Sequence, residues 1–209
     1  MTESLQFSLR DHFLVAITAI VIGDVCDCGV DAECFIIEVG IISHEILHSL
    51  GIWHEQSRSD RDEYINVNYD NLFPGMEGNF EKRTEVVTSN LEQPYDLGSV
   101  MHYSSTAFAR DQSTATITTR DGNYQHTIGQ RKTLSFKDAK IINLQYCMGV
   151  CTRQLPCQNS GYTDPRECSE CRCPEGYGGT FCEKVAESTI PDCGGELNAT
   201  STYQTLQME

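Results

Sequence analysis

Positively charged residues are scarce in this chain. Lys and Arg number 15 against 30 Asp and Glu in 209 residues, a formal charge of −15. Binding to nucleic acid or to an anionic membrane draws on clustered Lys and Arg, and no basic cluster interrupts the acidic excess, so neither partner is expected. Solvated acidity accounts for the charge. Long apolar runs are missing as well. HFLVAITAIVIG, from His12 to Gly23, has the length of a signal-peptide core and ends in a small residue suited to cleavage. It is well short of the roughly 20 residues that cross a bilayer, which excludes a membrane span there. The preceding MTESLQFSLRD is a poor positive n-region, because Glu3 and Asp11 offset Arg10. Residues 1–23 therefore read either as a signal peptide or as a β-branched N-terminal strand.

Histidines are few but clustered. HEILHSLGIWHEQSRSDRDEY, from His44 to Tyr64, holds three of the six within eleven residues. Four residues advance an α-helix by about 400°, so His44 and His48 stand roughly 40° apart on one face and can grip one ion. His54, six residues on, would be rotated about 240° away on a continuous helix and reaches that ion only if the helix ends first. Gly51 supplies the break, since glycine takes the left-handed conformation at a helix C-terminus without penalty. Three imidazoles on one zinc ion leave a position for water, the arrangement of a catalytic site and not of a closed structural one. Glu45, about 100° around the helix from His44, can take a proton from that water without occupying a metal position.

HExxH alone also occurs in ordinary amphipathic helices. Here, however, His44, Glu45, His48, Gly51 and His54 all fall on the extended metzincin motif, and SVMHY at 99–103 supplies the methionine turn that such a motif requires downstream. Together with YDLGSVMHY and IGQRKTLSFKDAKIINLQYC, the stretch from Cys26 to Cys147 resembles the astacin metalloendopeptidases. The resemblance implies an α+β, metzincin-type catalytic domain over 24–149. It implies one zinc per chain held by His44, His48 and His54, with Tyr103 as a further ligand that swings away to stabilise the tetrahedral intermediate. It also implies that Glu55 contacts the N-terminus of the matured enzyme and that Met101 forms an apolar floor under the metal. His102 is excluded from the site as a structural histidine. Tyr103 has the alternative of being a packed core residue.

Beyond the histidine cluster, a zinc helix is expected over about 38–50. Arg58, Asp60, Arg61 and Asp62 alternate in charge and read as scaffold. TATITTRDGNYQHTIG alternates around Asp121-Gly122 and predicts a β-hairpin. Ser135 with Asp138 forms a capping box for a following helix whose stripe of Phe136, Ala139, Ile142 and Tyr146 is expected to pack beneath the cleft.

Cysteine is abundant, 11 in all. That number suits an oxidising compartment and a secreted chain. After Cys147 the composition changes, and cysteines 151, 157, 168, 171, 173 and 182 resemble an epidermal-growth-factor-like (EGF-like) module over 150–183. The resemblance implies Cys151–Cys168, Cys157–Cys171 and Cys173–Cys182. A zinc knuckle is the rival, but this stretch has no histidine. Acidic residues of the calcium-binding versions are also missing before Cys151, so no calcium is expected. Residues 184–209, a linker and DCGGELNATSTYQTLQ, resemble the incomplete opening of a CUB domain, which follows such modules particularly in nematode astacin-like proteins. This tail is expected to be disordered, and Asn198–Thr200 is a sequon for N-glycosylation. Only 43 residues precede His44, fewer than the family's N-terminal lobe, so the lobe is expected to be truncated, some of Ile41, Ile42 and Leu47 to be uncovered, and cleavage by this chain to be weak or absent. The resemblance joins Cys147 to Cys26 or Cys28 and leaves Cys34 to the other.

The function expected is therefore a secreted zinc endopeptidase acting on extended polypeptide with Glu45 as general base. Arg131 or Lys132 would lie near an acidic substrate residue, and the EGF-like and CUB region could engage extracellular proteins. The alternative is an extracellular binding or adhesion protein built on a catalytically impaired peptidase domain.

Overall fold

The computed structural model of the chain describes residues 39–84 and 89–187. Expectations for the signal peptide or strand at 1–23, for Cys26, Cys28 and Cys34 and their pairing, and for the sequon and CUB-like opening near the C-terminus lie outside them. Cys147 is unpaired among the described residues. The chain divides into two compact units between Val150 and Cys151.

In the first unit, helix α1 spans Val39–Ser49. It stops where the glycine permits: Gly51 has φ +84°, and the Ile52 and Gly51 amides turn back to donate to the carbonyls of Leu47 (3.0 Å) and His48 (2.9 Å). This is the Schellman arrangement that closes a helix and redirects the chain. The helix buries His44 and Leu47, while Ile41 stays 45% exposed. Strands β1 (Ile65–Val67) and β2 (Ile117–Thr119) pair antiparallel with Ile65 opposite Thr119. Their inward residues Ile65 and Ile117 join Leu72, Phe80, Tyr95 and Ile128 in one apolar cluster, and Leu47, Val100 and Met101 form a second.

The hairpin expected around Asp121-Gly122 is not formed. Asp121 instead caps a short 3-10 turn, Gly122–Tyr124, by accepting from the Asn123 amide. The chain then brings Gln125 alongside β2, where its side-chain amide accepts from Thr119 N (2.8 Å) and donates to Ile117 O (3.0 Å). The local turn preference of Asp-Gly was satisfied by a tighter turn, and the outer edge of β2 by a side chain, so β2 found its partner in distant β1.

Helix α2 spans Phe136–Tyr146 and begins with the expected capping box, Ser135 Oγ accepting from Asp138 N (2.9 Å) while the Asp138 carboxylate accepts from Ser135 N (2.9 Å). The apolar stripe expected on α2 is not deeply packed. Ile142 touches the Leu47 cluster, but Tyr146 is 54% exposed, its hydroxyl donating to the Leu50 carbonyl. The buried residue of α2 is Asp138.

In the charged scaffold around residues 58–62 the two arginines are buried and bonded, whereas Asp62 is exposed. Arg58, 8% exposed, reaches Glu55, Asp60 and the Gln93 carbonyl. Arg61 donates to the carbonyls of Gln56 (3.0 Å) and Phe80 (2.6 Å) and to the Tyr69 hydroxyl (3.0 Å).

The second unit carries β3 (Tyr162–Thr163) paired with β4 (Cys171–Arg172) and β5 (Tyr177–Gly178) paired with β6 (Lys184–Val185). Its disulfides are Cys151–Cys168, Cys157–Cys171 and Cys173–Cys182, the connectivity that the resemblance implied. Covalent bridges suit strands this short, which bury too little to hold themselves.

Candidate metal centre

Helix α1 presents His44 and His48 one turn apart, and the turn at Gly51 returns His54 to them. The ligand-capable nitrogens of the three imidazoles lie within 4.8 Å of one another. His44 Nδ1 faces the Val100 carbonyl (2.8 Å) and His48 Nδ1 the Ile52 carbonyl (2.9 Å). A carbonyl can only accept, so each Nδ1 carries the proton and each Nε2 is left as a bare lone pair. His48 Nε2 stands 3.0 Å from His54 Nε2. Two nitrogens each bound about 2.0–2.1 Å from one tetrahedral ion would stand roughly 3.3 Å apart, so the observed spacing fits a shared zinc.

Electrostatics keep His44 and His54 neutral, as a ligand must be. Burial brings His44 down to about 4 and His54 down to about 3, with the neighbouring imidazoles adding to the effect.

The third histidine is held from the methionine turn, because Glu55 N donates to the Met101 carbonyl (3.2 Å). Met101 is 1% exposed and packs with Leu47 and Val100. Glu55 itself is buried. Its carboxylate accepts from Arg58 (3.0 Å) and from Asp96 N (2.7 Å), and burial pushes it up to about 7 against the pull of Arg58. Beside it lies a cavity of about 360 Å³, whose wall includes Trp53 and Arg83, the guanidinium 4.2 Å above the indole ring.

A sequence profile of the peptidase family described as Astacin matches residues 23–147. The chain belongs to the astacin family. It is 59% identical over 169 residues to zinc metalloproteinase nas-37 of Caenorhabditis elegans, covering 81% of this chain and 22% of that protein. It is 52% identical over 168 residues to zinc metalloproteinase nas-30 of the same nematode, covering 80% and 23%. Against zinc metalloproteinase dpy-31 of Brugia malayi it is 46% identical over 174 residues, covering 83% and 29%. The chain thus spans less than a third of the length of these relatives. Among solved structures, high choriolytic enzyme 1, a hatching enzyme zinc-protease from Oryzias latipes, shares 44% identity over 52% of each chain with a TM-score of 0.48.

Within this astacin chain the other residues singled out from the sequence fall as follows. Glu45 is half-buried on α1, near enough to His44 and Arg131 to bias both electrostatically. The Tyr103 ring lies 4.5 Å from that of His54, and burial raises its hydroxyl. His102 points away, fully buried, with Nδ1 donating to the Tyr103 carbonyl (2.7 Å) and Nε2 accepting from the Tyr95 hydroxyl (2.8 Å). Arg131 donates to the His102 carbonyl and bears on His44, His54 and Tyr103, whereas Lys132 is exposed. Two contributors were missed. Gln56 Oε1 accepts from Tyr103 N (3.1 Å), and Asp138, read only as a helix cap, also accepts from Ser99 Oγ and Val100 N. Nothing in the local pattern marks either; both act across 38 or more residues.

Proposed function

We propose that this chain carries the catalytic centre of a secreted zinc endopeptidase. The observation that carries the reading is the convergence of three imidazoles on one point, with the Nε2 atoms of His44 and His48 left bare. Bound there, zinc supplies Lewis acidity that polarises the scissile carbonyl and acidifies a water. Glu45 takes the proton of the attacking water and later delivers it to the leaving amine nitrogen. The Tyr103 hydroxyl donates to the oxygen on which negative charge develops, and so acts chiefly in the transition state. Tyr103 is also assigned as a ligand of the resting metal.

Arg131 makes the site selective. Its guanidinium, close enough to bear on both His44 and Tyr103, favours an acidic side chain in the extended substrate. Glu55, beside the cavity described above, receives the N-terminus of the matured chain. In this reading residues 24–149 form the peptidase domain and 150–183 an EGF-like module, and three disulfides in so short a segment support a location outside the cytosol. No helix among the described residues is long and apolar enough to cross a membrane.

The test combines metal content with hydrolysis. The parent should bind one zinc and cleave a quenched peptide library at a chelator-sensitive rate, preferring acidic residues. His48→Ala should release the metal, and Glu45→Gln should keep the metal and lose turnover. A Glu45→Gln protein as fast as the parent would refute the general-base assignment.

A further inference from the structure

A series of hydrogen bonds, all in one direction, joins a buried carboxylate to the first metal-facing imidazole. Ser99 Oγ donates to Asp138 Oδ1 (2.6 Å). Met101 N donates to Ser99 Oγ (2.9 Å). The carbonyl of that same peptide, on Val100, accepts from His44 Nδ1 (2.8 Å). His44 Nε2 is then the end of the series, aimed at the other two imidazoles. The second oxygen of Asp138 accepts from Val100 N (2.9 Å) on the preceding peptide, so the same carboxylate also anchors the backbone that leads into the relay.

Every member is buried: Asp138 is 5% exposed, Ser99 and Met101 1%, Val100 0% and His44 7%. Without water to screen them, bonds aligned in one direction polarise one another. The carboxylate draws on the serine hydroxyl, the hydroxyl on the amide, and the amide enriches its carbonyl oxygen, which holds the His44 proton on Nδ1. A carboxylate in direct contact with a metal-bound histidine has the same effect, raising its basicity and fixing its tautomer. Here a hydroxyl and a peptide stand between.

We infer that Ser99 and Asp138 are positioning residues of the metal centre, acting through the Val100–Met101 peptide to orient His44 and strengthen its hold on a divalent cation. The inference rests on the zinc reading above.

Zinc affinity of the full chain, measured by chelator competition, tests it. Ser99→Ala deletes the relay but leaves the Asp138 bonds to Val100 and Ser135, so the cap of α2 survives. It should weaken zinc by about tenfold or more, the usual effect of losing such a support. Asp138→Asn should do the same, and the double variant should be little worse than either. Ile142→Ala, which loosens the same apolar cluster without touching the relay, should lower thermal stability and leave zinc affinity within about twofold. With ¹⁵N-labelled histidine, the Nδ1 proton resonance of His44 should move upfield in Ser99→Ala, the sign of a weaker hydrogen bond, while that of His48 stays. The inference is overturned if Ser99→Ala binds zinc like the parent, or if Ile142→Ala weakens binding as much. A parent that binds no zinc overturns the zinc reading itself, and the relay with it.

Discussion

Gly40 lies in the first turn of α1, where helix propensity alone favours alanine over glycine by about 1 kcal/mol. The packing says the opposite. A Cβ built at this position would stand 1.9 Å from Arg131 O, 2.1 Å from Arg131 C and 2.8 Å from Lys132 N. Ordinary contact needs about 3.5 Å, so helix and loop must part by roughly 1.5 Å. The loop cannot yield easily. Arg131 is tied to the His102 carbonyl, and the Gln130 side chain is bonded to Gly98 O, Lys132 N and Thr133 O. Overpacking against such a backbone costs about 1–3 kcal/mol, enough to outweigh the propensity gain. His44 is one turn on and on the same face, so the displacement passes to the metal trio, where errors of about 1 Å can cost on the order of 10²-fold in rate. Gly40→Ala should therefore melt below the parent, bind zinc more weakly and turn over more slowly, as read by thermal denaturation with and without zinc and by chelator competition. A Gly40→Ala protein that melts higher with unchanged zinc affinity would refute this account of the contact between α1 and the 131–132 loop.

Two further outcomes concern buried polar groups. Arg61→Met should cost about 3–5 kcal/mol in urea denaturation, because the carbonyls of Gln56 and Phe80 lose their donor inside the protein; a loss under about 1 kcal/mol would mean that water replaces the guanidinium. Burial brings His102 down to about 4 from its ordinary 6.5, so its contribution to stability is held above pH 6.5 and lost as the pH falls towards 4. The shift corresponds to on the order of 3 kcal/mol, and buried His44 and half-buried His54 act with the same sign. Metal-free protein should lose stability steadily over this range and His102→Gln should show a shallower slope; equal slopes would remove His102 from the acid response.

The metal centre was legible in the sequence because its geometry is local. His44, His48, Gly51 and His54 span eleven residues, and a helix period plus one glycine determines where their side chains meet. The capping box at Ser135 and Asp138 was legible for the same reason. What could not be read is what acts at long range. Asp138 satisfies its own helix and the methionine turn with one carboxylate, and only the second use depends on tertiary structure. The Asp121-Gly122 pair shows the converse failure: a strong local hairpin preference lost to a pairing between residues about fifty apart. The stripe on α2 holds at Ile142 but not at Tyr146, and the one fully inward position of the helix is taken by a capping carboxylate with its partners.

The Gln125 amide has a consequence beyond satisfying the edge of β2. By accepting from Thr119 N and donating to Ile117 O, it occupies the two positions that one residue of a parallel neighbouring strand would use. A single side chain thus imitates one rung of a ladder and then stops, offering nothing further to pair with. An exposed edge is ordinarily an invitation for another chain to add itself as a strand, whether a peptide or a second copy of the protein. Here the groups of Ile117 and Thr119 that face away from β1 are already taken, so this stretch of the β2 edge is closed to foreign strands without the bulk of a covering helix.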